Sequence, residues 1–514
     1  RSVLPNAISS LLVDKQDQLW VTTGPDGLCL YQPQTNSFTS YKSDPSLPAS
    51  LHANYLTAIF QDRQGLIWLG TTGYGVNYFQ PDKKQFQILL PRGTGHDSDG
   101  WLWARAASED TNGNLWLATV SGVIQYNEKS GVVRNFRNEE KKDRQLYYNS
   151  VRGILCEGDL VWFITGGGIN RYHRLTGRME FLTEKDSLPP AFYFTACKDS
   201  RGTLWIGGRD YDGLYYREAG KSFRGIRHHP VLHKLMDIYG YGVRCIFEDS
   251  KHRLWFGLNS GGLALYDVQK QILKHWQWKE GDSTSLTGNL VTGIAEDKNG
   301  TIWLSTTSGI AAYQEANNRF VQYTQKNGLP SVRTSCIQVD GANRVWAGST
   351  HGLLMLDAGR KTWTLFDEDD GLTGAEFADM PSQKLSDGRF IFPTLKGFLL
   401  FNPMAYNDRA QQLKTFVTGF RVFNQPAVTE VNPEEIQSMH FAHDQNFFSL
   451  ELTALNYENP AKTWYAYKLD GFDKEWIYTR QRTVNYTNVP GGAYTFFYKA
   501  SADSANWNVP GQTL

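Results

Sequence analysis

One short unit recurs along this chain and constrains the fold more than anything else in it. Its fullest form is an Asp, a Gly three residues on, an apolar residue, a Trp, and then a Gly-bearing turn. Copies are "DKQDQLWVTTGPDGL" around Trp20, "DRQGLIWLGTTGYGV" around Trp68 and "DTNGNLWLATVSGV" around Trp116. A degenerate copy, "EGDLVWFITGGGI", surrounds Trp162. Further copies lie at Trp205, Trp255, Trp303 and Trp346, and a ninth, "SDGRFIFPTLKGF", puts Phe392 in the Trp position. Neighbouring copies are 43 to 50 residues apart. Each interval reads as four short strands. In the second, "YLTAIFQ", "LIWLGT", "VNYFQ" and "KQFQILL" are separated by turn residues, with Asp62–Gly65 suited to a tight hairpin. Four strands per ~45 residues is the arithmetic of a β-propeller blade, and no stretch here holds a helical period. A lone four-stranded sheet leaves both faces wet, whereas stacking blades around an axis buries both. The 16 Trp, 26 Tyr and 28 Phe of the 514 residues are therefore expected chiefly between blades.

The period stops near residue 404. "TFVTGFRVFNQPAV", "NFFSLELTALNY", "TWYAYKLDGFDKEW" and "RTVNYTNVPGGAYTFFYKASA" then alternate apolar and polar residues between Pro, Gly and Asn turns. That pattern predicts a small antiparallel, immunoglobulin-like β-sandwich. The fold class is thus all-β, a propeller of four-stranded blades followed by a sandwich. The expected domains are residues 1–90 with two propeller repeats, 91–404 with seven, and 405–514 as the sandwich. The last seven repeats suit one seven-bladed ring, the first two belonging to an incomplete neighbour. A single ring of eight or nine blades is the alternative. The Asp-to-Gly spacing is one residue longer than in the sialidase Asp box and does not support a sialidase.

Repeats of this form followed by this sandwich resemble the two-component regulator propeller and the Y-Y-Y domain. The latter's pattern is carried by Tyr467, Gly471 and Trp476 in "YAYKLDGFDKEW" and by Tyr486, Pro490, Gly491 and Tyr494 in "NYTNVPGGAYTF". The resemblance implies the periplasmic sensor region of an inner-membrane receptor. A transmembrane helix would follow the sandwich, and then a cytoplasmic histidine kinase, hybrid kinase or diguanylate cyclase. It also implies an oligosaccharide signal and a sandwich that mediates homodimerisation. The chain starts at Arg1 and stops at Leu514, which suggests a processed protein or a piece of one, with no catalysis of its own and no cofactor.

Composition narrows the partners. Lys and Arg total 52 and Asp and Glu 52, so there is no basic surplus to displace phosphate counterions from nucleic acid. The longest apolar runs fall far below the ~18 residues that cross a bilayer. Five scattered cysteines form neither a disulfide framework nor a zinc site. His228, His229 and His233 in "HHPVLH" lack a third ligand at a suitable spacing, so no metal is expected.

Ligands of propellers usually meet the face on which the innermost strands begin, and long loops there are candidates for binding. Three such loops run from Pro91, Arg137 and Gly225. Five residues ahead of the repeat Asp stand Ser9, Thr57, Arg105, Phe194, Arg244, Thr292 and Ser335, and one deletion brings Arg152 into line. Arg105, Arg152 and Arg244 would then open inner strands at one channel mouth. Guanidinium forks match carboxylate or sulfate. With Trp103, Tyr193 and Tyr241 nearby, and Arg209, Asp210 and Tyr211 on the "GGRDYDG" loop, these nine residues make a candidate site for a small ligand such as an acidic oligosaccharide. Arginines paired with blade carboxylates or stacked on Trp are the competing reading. Two other functions compete as well. One is a propeller lyase or glycosidase, for which His351 in "GSTHGL" is the sole pointer. The other is a scaffold that binds protein.

Overall fold

The repeat works because one carboxylate organises a whole hairpin. At Asp199, one oxygen accepts the amide N–H groups of Arg201 (3.0 Å) and Thr203 (2.8 Å), and the other accepts the indole N–H of Trp205 at 2.9 Å. Gly202 takes the left-handed turn position, with φ of 83°. Hence the Asp opens the turn, the Gly passes it, and the Trp sits where its indole reaches back. The same Trp-to-carboxylate bond, 2.8 to 3.0 Å long, recurs at Asp14, Asp62, Asp110, Asp249, Asp297 and Asp340. In the degenerate copy Glu157 takes the role, accepting from Trp162 at 3.0 Å. The longer Glu side chain makes up for the residue missing between it and the Trp. Burial pushes the Asp110 and Asp199 carboxyls up, but these donors outweigh it and hold both below the usual carboxylate range.

The structure, a computed structural model, describes residues 8–45, 50–81, 86–89, 103–138, 146–238, 240–372, 376–406, 413–427, 432, 436, 438–457, 460–502, 507 and 511–514. Contacts divide the chain into two units, residues 85–407 and residues 1–84 together with 408–514.

In the first unit, seven four-stranded antiparallel sheets follow one another: 104–136, 151–182, 193–225, 243–276, 291–323, 334–366, and a seventh over 383–401. They are called blades one to seven. The seventh completes itself with the strand Phe86–Leu89, which pairs antiparallel with Gly397–Phe401. The sequence pattern assigns that strand to the preceding repeat, within residues 1–90; the structure places it in the last blade instead. An open end of the ring would leave a sheet edge unpaired, and a strand from the other end of the ring's own chain covers it. A side-chain clasp repeats the closure. Ser200 donates through its amide and hydroxyl to Glu248 (both 2.7 Å), Ser250 does the same to Glu296, and Ser386 of blade seven does so to Glu109 of blade one. The Trp rings lie between blades as expected. Trp116 packs on Phe163 and Tyr172 of the next blade, and Trp255 on Tyr313.

The second unit holds a four-stranded sheet over 8–41, a three-stranded sheet over 56–79, and the sandwich. One sandwich sheet contains Thr415–Val422, Phe448–Ala454 and Thr483–Tyr486. The other contains Trp464–Asp470, Ile477–Thr479 and Thr495–Ser501. Val417, Leu450, Leu452, Leu469, Val484 and Phe496 fill the space between them. Tyr486 is buried and donates its hydroxyl to Asp473 (2.6 Å), and Tyr467 meets it edge to face. Tyr494 donates to the carbonyl of Pro490 and lies against Gly471, whose φ is 92°. No helix among the described residues is long and apolar enough to cross a membrane.

Candidate functional site

Every regular inner strand of the repeat array carries a β-bulge at one position. The pairing register slips over Ser9, Thr57, Arg105, Arg152, Phe194, Arg244, Thr292 and Ser335. These are the eight residues aligned by their distance from the repeat acid. With Glu157 in the acid's role, Arg152 needs no deletion to join them. A bulge leaves its extra residue outside the ladder and re-aims the side chain. In the seven-bladed unit the bulge residues of blades one to six line the start of the central channel in order: Arg105, Arg152, Phe194, Arg244, Thr292, Ser335. Blade seven has no such strand, and Asp379 fills its place. It accepts the Ser335 hydroxyl at 3.2 Å and pairs with Arg333.

The ring is lopsided. Thr292 and Ser335 bond to neighbouring backbone and hydroxyl groups, so that arc is satisfied. The other arc is cationic and aromatic. The Arg152 guanidinium lies 4.4 Å from the centre of the Phe192 ring and 5.9 Å from Phe194. Arg244 sits 5.5 Å from Phe194 and Arg105 5.9 Å from Trp103. Arg209, on the loop after the Trp strand of blade three, lies 4.8 Å from Phe192. Arg244 also donates to the carbonyl of Asp379 at 2.7 Å. Blades four and seven face each other across a seven-bladed ring, so this side chain reaches across the channel.

The charges here are crowded. Burial, then Arg105, Arg244 and Arg209, push the Arg152 guanidinium down to about 10. Burial, then Arg244, lowers Arg105, with Asp379 opposing. Burial also lowers Arg244, again against Asp379. The buried Nε atoms of Arg105, Arg152 and Arg244 have no hydrogen-bond acceptor. A guanidinium does not shed its proton at ordinary pH, so these shifts record a standing cost of charge rather than a titration.

Of the nine residues singled out from sequence, Arg105, Arg152, Arg209, Arg244 and Trp103 come together. Asp210, Tyr211 and Tyr241 brace them. Asp210 accepts the amide of Phe192 (3.1 Å) and the Arg209 Nε (3.2 Å), and the Arg209 amide donates to the Phe192 carbonyl (2.9 Å). Tyr241 donates its hydroxyl to the Tyr211 carbonyl and lies against Gly213, where a Cβ would meet its ring at 2.4 Å. Tyr193 does not belong. It is 1% exposed, packs on Tyr215 and donates to the Pro189 carbonyl at 2.7 Å. Strand alternation turns it between blades, and the bulge turns its neighbour Phe194 to the channel instead. Phe192, Phe194, Arg333 and Asp379 are the residues the ligand reading missed. Phe194 was visible in the alignment, but Asp379 lies in a blade whose inner strand lacks the motif.

The loop from Pro91 lies outside the described residues up to 102, and the loop from Arg137 does so over 139–145. His229 accepts the amides of Val231 and Leu232 on Nδ1 and lies edge-on to Tyr216 and Tyr266, so its ring is committed to the fold. His351 Nδ1 contacts the hydroxyls of Ser331 (3.1 Å) and Thr350 (3.2 Å). No group of His, Cys, Asp or Glu among the described residues is arranged to hold a metal.

Comparison with known proteins fits this architecture. The chain is 23% identical over 403 residues to histidine kinase P4 of Formosa agariphila, covering 75% of this chain. The match spans 29% of that relative's length. The extracellular domain assigned to a hybrid two component system of B. thetaiotaomicron superposes over 100% of this chain and 73% of its own. The TM-score is 0.72 and the identity 23%, so this likeness speaks for the fold. Residues 50–73 and 285–308 match the two component regulator propeller and residues 456–514 the Y_Y_Y domain. Two of the repeats, at residues 50–73 and 285–308, are therefore two component regulator propeller units, and residues 456–514 of the closing sandwich are a Y_Y_Y domain.

Proposed function

We propose that the chain is the ligand-sensing, periplasmic region of a bacterial transmembrane receptor. In this reading it detects a small molecule of the oligosaccharide class and relays it through a homodimer to a cytoplasmic kinase or cyclase. One observation carries the reading: cationic and aromatic side chains from four different blades converge on one mouth of the ring. Rigid strands hold them, which suits recognition. Among the described carboxylates at that mouth, Asp210 and Asp379 are both engaged by arginines, which favours binding over acid–base catalysis. The relay has a thermodynamic requirement. A ligand changes the balance between two dimer arrangements only by binding them unequally.

The test is sedimentation analysis of the 514-residue chain with and without oligosaccharides chosen from a thermal-shift screen. A stabilising oligosaccharide should change the dimer dissociation constant by roughly fivefold or more. A ligand that binds tightly and leaves self-association unchanged would sink the relay.

A further inference from the structure

Elsewhere in the ring, arginines near the hairpins are paired. Arg253 meets Asp249 at 2.7 Å and Glu315 at 2.6 Å. Arg344 meets Asp340 at 2.7 Å, Arg360 meets Asp297 at 2.8 Å, and Arg174 meets Asp110 at 2.9 Å. Arg389 is held by both Glu128 and Asp387. The mouth breaks this pattern. Among the described residues, Arg105 and Arg152 make no hydrogen bond and no ion pair, although both are half-buried. Aromatic rings cover their faces, at Trp103 for one and at Phe192 and Phe194 for the other. A guanidinium whose face is stacked keeps its N–H edge for in-plane acceptors, and the acceptor that fits two parallel N–H groups is a carboxylate or sulfate.

The charges among the described residues set the sign of the ligand. Arg105, Arg152, Arg209, Arg244 and Arg333 interact in this cluster, and the carboxylates that face them are Asp210, Glu376 and Asp379. Among the described residues, five positive groups face three carboxylates, so positive charge is in excess there. Arg333 and Arg209 each have a carboxylate, and Arg244 has a carbonyl and Asn259. The surplus therefore falls on Arg105 and Arg152, on adjacent blades.

We propose that this mouth is a dianion site, in which Arg105 and Arg152 grip two anionic groups of one ligand, an oligosaccharide carrying carboxylate or sulfate ester groups. Phe192 and Phe194 hold the guanidinium faces and leave their N–H edges to the ligand. Arg244, which reaches across to blade seven, and the exposed Arg209 flank them. Of this, the oligosaccharide part rests on the sensing role proposed above, and the anion requirement rests on the unpaired arginines alone.

Calorimetric titration of the 514-residue chain tests it with four probes: inorganic sulfate, a uronic-acid disaccharide, a disulfated disaccharide and a neutral disaccharide. At least one charged disaccharide should bind, and the neutral one should not. Which charged probe wins separates carboxylate from sulfate. Arg105→Gln and Arg152→Gln should each weaken binding roughly 10- to 100-fold and flatten its dependence on salt. Arg152→Lys, which keeps the charge and loses the fork, should fall between. Near-native melting of each variant shows that the fold persists, and Arg209→Gln on the exposed rim gives a smaller loss in a position that cannot unfold the ring. Binding of the neutral sugar as tightly as the charged ones, unaltered affinity in both glutamine variants, or no binding of any charged probe at ~10 mM would each overturn the site. An anion that binds here without affecting self-association upholds the site and removes the relay. A neutral sugar that shifts the dimer, indifferent to these arginines, does the reverse.

Discussion

At the scale of single residues, the acid of the repeat is the most consequential side chain in the chain. Asp249 is 3% exposed and accepts four bonds, from the amides of Lys251 and Arg253, the Arg253 Nε and the Trp255 indole. Removing it strands several buried donors at once, and a buried donor without a partner costs about 1–3 kcal/mol. Asp249→Ala should therefore destabilise the ring by about 3 kcal/mol in urea unfolding, and Trp255→Phe, which removes one donor while Arg253 Nε still serves the same oxygen, by clearly less. Equal losses would show that the hairpin is held by packing rather than by the carboxylate. The arginines at the mouth follow the opposite logic. Their charge costs stability while no anion is bound, so Arg152→Gln should raise the melting temperature of the unliganded chain by a degree or two and abolish its rise with added sulfate. Both roles were legible in the sequence to different degrees. The Asp–Trp spacing stands out because it repeats. The arginines stand out only after alignment on that Asp, because three of the eight aligned positions break from Ser, Thr and Phe.

At the scale of elements, the loop of blade three to four ties a titratable group to local order. Burial, then His233, lowers the pKa of His229 from its ordinary value, and its Nδ1 must stay unprotonated to accept the amides of Val231 and Leu232. The unfolded chain therefore binds a proton before the folded one does as pH falls. Stability from this group is complete above the unfolded value near 6.5 and is lost as pH drops through the lower folded value. Unfolding followed between pH 7.5 and 5 should show that loss in the native chain and a shallower profile in His229→Asn. Parallel profiles would remove His229 from the account. In the sequence this histidine was one of three, with His228 and His233, that no ligand spacing joined into a metal site, and nothing local distinguished it, because the rings of Tyr216 and Tyr266 that enclose it come from two neighbouring blades. The bulges are a similar case. Each is a property of strand pairing, and no single strand announces which of its residues will be left unpaired. Tyr193 was misplaced for that reason: without the bulge, its side and that of Phe194 cannot be told apart.

At the scale of the whole molecule, closure of the seven-bladed unit rests on Phe86–Leu89, a strand separated in sequence from its partner by the entire ring. Leu89 is 4% exposed and pairs with Phe398, and Ile88 pairs with Leu399. A charge placed there is buried without a partner. Leu89→Asp should open the seventh blade, seen as faster hydrogen exchange across 397–401 and as early proteolytic cleavage near 90–103. Exchange confined to residues 86–89 would mean that the clasp between Ser386 and Glu109 closes the ring unaided. The four-stranded unit and the change to a sandwich were present in the sequence, because each depends on local spacing: a turn residue, an alternation, a Trp a fixed distance from its acid; the number of blades in one ring was left open between seven and eight or nine. What only the tertiary structure decided was which strand completes which sheet, and that arginines from blades one, two and four share one mouth with Asp379 of blade seven. Strand pairing across 300 residues and charge crowding across a channel are set by free energies of closure and burial, which no window of sequence contains.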